Sequence, residues 1–192
     1  ILSFSPATAV AAGDGQRALD EARAFYRQGR YFSAASSAFE AKEADPSLEA
    51  PGYAIVTESL VATGLVQSSS YFFIRTLQTG DRAAIRLVLR RASLLLERLG
   101  PDLLGKYLVK NTQASDYDER NRSAYHLAIA KDALLADDER SAIARASSVD
   151  EDSPLLALAL QIRGTARAIL GEGDGALRDF RRRSEEHTSE LQ

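Results

Sequence analysis

The chain of 192 residues contains no Cys, no Met and no Trp, has two His, and carries 24 basic against 27 acidic side chains for a net charge of −3. Without Cys there is no disulfide, thiolate nucleophile, iron–sulfur cluster or Cys-based zinc site, and the near balance of charge gives no electrostatic reason to expect nucleic acid as a partner. An apolar fraction of 45% and a charged fraction of 27% are those of an ordinary globular chain, long enough to bury one sizeable core.

The start at Ile1 with no Met anywhere points to a fragment of a longer reading frame. Residues 1–14 run apolar and then small, and Ala9, Val10 and Ala11 make the small-x-small pattern that signal peptidase accepts. The segment is expected to be a signal-peptide remnant, with a disordered Ala-rich leader as the alternative. The corresponding location is secreted or periplasmic, with the cytoplasm as the alternative.

From residue 15 onward the apolar residues recur at spacings of three and four, and Pro and Gly fall at joints, so the fold class is all-α. The spacing predicts helices over 15–28, 31–44, 51–63, 66–79, 82–98, 102–110, 119–135, 138–148, 154–170 and 174–182. Short joints pair them as antiparallel hairpins. Pro46, Pro51, Pro101 and Pro154 sit where one pattern stops and the next begins, as suits a residue that cannot donate inside a helix.

A repeat with a period near 35 runs through this pattern. Residues 15–48 place Phe25 on the first helix, Gly29 at the turn, Tyr31, Ala34 and Ala41 on the second helix, and Asp45-Pro46 at the close. Tyr53, Leu60, Gly64, Ser69, Phe73 and Thr76 follow in register. Leu160, Gly164, Gly171, Ala176 and Phe180 recover it near the end. This pattern resembles the tetratricopeptide repeat (TPR), most closely in residues 15–48 and least in 82–150, where no turn glycine appears within SAYHLAIAKDALLADDERSAIARA. The resemblance implies hairpins stacked as a TPR-like α-solenoid over 15–182. Residues 183–192, RSEEHTSELQ, resemble the translation of a sequencing adapter and are expected to be non-native, which leaves His126 as the one histidine of the fold.

Few residues suggest chemistry. Gly171, Gly173 and Gly175 could cradle a phosphate, yet no strand precedes them and no Lys-Ser or Lys-Thr follows, so they read as an inter-helix turn. His126 has Ser123 on its helix face but no third group, and reads as a packing residue. Asp116, Asp118 and Glu119, then Asp137, Asp138 and Glu139, then Asp150, Glu151 and Asp152, lack the spacing of a calcium loop and stand before helical segments, as capping residues do. No catalytic group, metal ligand set or cofactor site is expected, and no enzyme activity.

The TPR resemblance implies a concave groove lined by the first helix of each repeat and gripping a peptide or partner helix. The groove residues it implies are Gln16, Leu19, Arg23, Tyr26 and Arg27 in the first repeat and Glu58 in the second, beside Ala54, Val61 and Ala62. Arg86 and Arg90 form a basic stripe further along, which reads otherwise as a solvated helix face. Asp20 stands where the chaperone-binding branch of the family has an Asn of its carboxylate clamp, so that ligand is not implied. The function expected is a protein-interaction scaffold binding a mixed peptide. The alternative is the accessory region of a longer enzyme or regulator.

Overall fold

The computed structural model describes the backbone of residues 6–189 and the side chains of residues 13–186. Among these residues there are eleven α-helices and no strand. The chain forms two compact units, residues 1–88 and 89–192, joined near the end of the fifth helix.

In the first unit, α1 (Pro6–Arg27), α2 (Tyr31–Ala44), α3 (Glu49–Ala62) and α4 (Val66–Thr79) pack each against the next, α1 also touches α3, and α5 (Arg82–Leu89) follows. This is the neighbour-on-neighbour packing of an α-solenoid. Leu19, Ala22, Ala34, Ala38, Ala41, Ile55 and Val56 form a core in which five of the seven side chains are no larger than Val, so the helices approach closely. One such close approach is where Gly52 of α3 crosses α2: a Cβ there would lie 3.0 Å from the Ala38 carbonyl oxygen.

In the second unit, α6 (Ala92–Leu99), α7 (Pro101–Asn111), α8 (Arg122–Leu135), α9 (Glu139–Ala146), α10 (Leu156–Ile169) and α11 (Gly173–Ser189) again pack in succession. Leu95, Leu96, Leu104, Leu108, Leu127, Leu155 and Leu160 are fully buried there. No described helix is long and apolar enough to cross a membrane.

One turn recurs in four hairpins. After α1, α3, α8 and α10 the chain reverses through a residue with positive φ: Gly29 at 74°, Gly64 at 78°, Asp137 at 57° and Gly171 at 77°. The hydrogen bonds repeat as well. Arg30, Leu65, Asp138 and Glu172 each donate from the backbone to the carbonyl five residues back, on Phe25, Leu60, Ala133 and Arg167 at 2.9 Å in every case. The turn residue donates three residues back, to Tyr26, Val61, Leu134 and Ala168. This is a left-handed helix cap that satisfies carbonyls the helix leaves open.

The same four hairpins carry a small buried residue seven positions before the turn (Ala22, Thr57, Ala130, Gly164) and another five after it (Ala34, Ser69, Ala142, Ala176). Two close-packing sites per hairpin are thus set at fixed distances from one left-handed residue. Residues 122–146, where the sequence pattern shows no turn glycine, follow the same register because an Asp takes the glycine's place. Asp is among the residues that tolerate this conformation.

Several boundaries differ from the sequence-based expectation. The first helix begins at Pro6, so most of the expected leader is helix, while residues 1–5 lie outside the described residues. The helix expected over 82–98 is broken at Arg90 and Arg91. The buried series Ile85, Val88, Leu89, Ala92, Leu95 and Leu96 keeps its helical spacing across that break, so periodicity could not reveal it. The segment expected to be non-native continues α11 to Ser189, and residues 190–192 lie outside the described residues.

Candidate functional site

The first helices of the hairpins in the first unit converge on a hollow of about 330 Å³. From α1 it receives Arg23. From α3 it receives Pro51, Ala54 and Ile55, one helical turn apart or adjacent. From α5 and the residue before it come Ala83, Ala84, Leu87 and Asp81. Ala54, Ile55 and Ala84 are buried and close the floor, and Leu87 is 37% exposed at the edge.

Opposite charges stand on its walls. Arg23 Nη1 donates to Asp20 Oδ1 at 2.8 Å, an exposed pair one turn apart on α1 that uses one of five guanidinium donors. Arg27, a turn further along α1, is exposed and has no charged partner among the described residues. At the start of α5, Asp81 Oδ1 accepts from the Ala84 backbone N–H at 2.9 Å and so caps that helix.

The residues expected to line a groove divide into three groups. Gln16, Arg23 and Arg27 are exposed along one stripe of α1, with Gln16 donating to Asp20 at 3.1 Å. Tyr26 and Glu58 meet each other: the Tyr26 hydroxyl donates to Glu58 Oε2 at 3.1 Å, and Glu58 is only 7% exposed. That pair ties α1 to α3, with Tyr26 also edge-on to Tyr31 at 5.4 Å. Leu19 corrects the expectation, being 1% exposed in the core with Ala22, because its side of α1 turns toward the neighbouring helices. Arg86 is exposed on α5 in the first unit, and Arg90 is exposed in the second unit.

Arg90 instead borders a hollow of about 630 Å³ in the second unit with Asp118, Glu119, Arg120 and Asn121. Most acidic groups nearby have structural roles. Asp118 accepts from the Asn121 backbone at 3.1 Å, Asp138 caps α9 through the Ser141 N–H at 3.1 Å, and Asp116 accepts from the Gln113 N–H at 3.0 Å. The bond from Ser141 holds the Asp138 carboxyl below the usual range. Asp150, read as a cap from sequence, accepts the Ser123 hydroxyl at 2.5 Å and donates its N–H back to that oxygen at 3.1 Å. Ser123 is 2% exposed, and this pair locks a loop onto α8.

His126 lies on α8. Its ring lies 5.9 Å from that of Tyr125, its Nδ1 is buried without a hydrogen-bond partner, and burial followed by the nearby Arg145 and Arg122 lowers its pKa. Gly171 lies in the left-handed turn and Gly173 opens α11. Among the described residues no group of His, Asp and Glu is placed to hold a metal ion.

Comparison of the chain with protein-family models, with curated proteins and with solved structures finds no match. The candidate site therefore rests on geometry alone. Asp81, the one charged wall residue that motif reasoning passed over, is recognisable only as a helix cap in sequence. Its place in the same hollow as Arg23 is set by the tertiary fold.

Proposed function

We propose that the chain is a helical-repeat interaction scaffold, similar to TPR proteins, that holds a segment of a partner protein on the α1–α3–α5 face of its first unit. The observation that carries this reading is the hollow at which three successive first helices meet, with a closed apolar floor and exposed charges on its rim. Four hairpins that share one cap and one small-residue register support the repeat assignment. At about 330 Å³ the hollow lies at the lower end of ligand-pocket volumes, about 300–1,000 Å³, and suits one side chain of a longer ligand better than a whole cofactor.

The test is selection of a displayed random-peptide library on the intact chain. Selected peptides are then compared on the wild type and on an Arg23→Glu, Leu87→Lys double variant, both of whose changes fall on exposed positions. Peptides that bind the wild type and lose binding to the variant support the reading. Selected peptides that bind both equally would place the interaction elsewhere and sink it.

A further inference from the structure

The α1–α3–α5 hollow has a polarity that specifies more than an interaction face, and the specificity it implies rests on the scaffold function proposed for that face. Its floor can exclude water only beneath an aliphatic group, since Ala54, Ile55 and Ala84 present methyl and methylene surface with no donor or acceptor. Arg23 from α1 and Asp81 from the start of α5 bring opposite charges to its lining.

Each charge can reach a ligand. The Arg23–Asp20 pair is exposed on both sides, with side chains 51% and 60% accessible, and a pair of that kind is held weakly enough to exchange. Arg27 adds a second exposed positive charge one turn along. Glu58, which occupies the position in α3 that Arg23 occupies in α1, accepts from Tyr26 and is only 7% exposed. Asp81 commits Oδ1 to the α5 cap and lines the hollow as an exposed residue.

We propose that this hollow binds a peptide that seats an aliphatic side chain between an acidic residue, paired with Arg23 at the α1 wall, and a basic residue, paired with Asp81 at the α5 wall. A purely acidic segment meets Asp81, and a purely basic one meets Arg23. Only a bipolar segment satisfies both, and the fixed placement of the two walls makes the order of its charges along the chain matter. Like-charge contact is the element that rejects the wrong order.

The experiment uses the full chain, isotopically labelled for NMR, with three blocked pentapeptides as probes: Gly-Asp-Leu-Lys-Gly, its charge-reversed form Gly-Lys-Leu-Asp-Gly, and the uncharged Gly-Ser-Leu-Ser-Gly. The expected result is that one charged order shifts the amides of Ala54, Ile55, Ala84 and Leu87. That order should bind about tenfold more tightly than the uncharged probe, each rim pair being worth roughly threefold. Arg23→Glu and Asp81→Asn, the latter retaining a capping side chain, should each remove about threefold of this preference. Equal shifts of the same amides by all three peptides would overturn the bipolar specificity while leaving the interaction face intact. Charge-dependent binding that shifts a different set of amides would overturn the site itself, and binding by none of the probes would overturn the peptide chemistry.

Discussion

Arg163 of α10 meets Asp179 of α11 through two parallel hydrogen bonds, Nη2 to Oδ1 at 2.7 Å and Nε to Oδ2 at 3.0 Å. Arg167, one turn along α10, adds a third bond to Oδ2 at 2.8 Å. The carboxylate is only 4% exposed, whereas the two arginines keep 19% and 26% of their side chains in contact with water. The negative charge is fully compensated and its oxygens are well supplied with donors, which is the condition under which a buried ion pair is tolerated.

Replacing Asp179 by Ala leaves two arginines facing a dry pocket. Complete burial of an orphaned charge costs about 3–5 kcal/mol, and because both guanidinium groups can turn toward water the expected loss is about 2 kcal/mol. Urea unfolding followed through amide exchange in α10 and α11 measures it, and an unchanged exchange pattern would contradict the structural role. Arg163→Lys keeps the charge but loses the fork, and should cost about 1 kcal/mol.

The four equivalent turns allow a test with opposite signs. Asp137 adopts φ 57° where three hairpins use glycine, and the left-handed region costs a residue with a Cβ roughly 1–2 kcal/mol. Part of that is offset by the greater freedom glycine has when unfolded. Asp137→Gly should therefore stabilise the second unit by about 0.5–1 kcal/mol, and Gly29→Ala should destabilise the first by about 1 kcal/mol. Thermal unfolding of the two variants beside the wild type decides the matter, and shifts in the same direction would show that the turns are not equivalent.

Close packing of α3 on α2 depends on Gly52. A methyl group added there would lie 3.0 Å from a backbone carbonyl oxygen, which cannot rotate away as a side chain would. Gly52→Ala should cost about 1–3 kcal/mol through displaced helices, despite the better helix propensity of alanine. Chemical denaturation of the first unit reads this directly, and a gain in stability would mean that the helices have room to separate.

His126 predicts a dependence on pH. Its folded-state pKa lies below the ordinary 6.5 because burial, Arg145 and Arg122 disfavour the imidazolium. The unfolded chain thus takes up a proton near pH 6.5 that the folded chain accepts only at lower pH. Stability is then complete above pH 6.5 and declines as pH falls from there toward the folded value. Denaturation midpoints at pH 7.5, 6.5 and 5.5 should fall in the wild type and fall less in His126→Gln, and identical slopes would show that the histidine does not cause the decline.

Helix-forming spacing, the prolines at the joints and the repeat around Gly29, Gly64 and Gly171 were legible in the linear chain because each depends on residues within one or two turns. Asp137 hid the equivalent turn in 122–146, since an aspartate in the left-handed region is indistinguishable in sequence from a capping aspartate. The break at Arg90 and Arg91 was equally hidden, because the apolar spacing passes through it unaltered. The TPR resemblance implies a groove position for Leu19, whereas the residue shares the buried side of α1 with Ala22.

By itself, then, the sequence determined an all-helical chain of short hairpins without thiol chemistry, for these follow from composition and from periodicity along one helix. Tertiary structure decided which side of each helix is surface. It turned Leu19 inward, drew Glu58 to Tyr26, and set Asp81 and Arg23, 58 residues apart in the chain, around one apolar floor. Those relationships depend on how α1, α3 and α5 pack against one another, and no local pattern in any one of them carries that information.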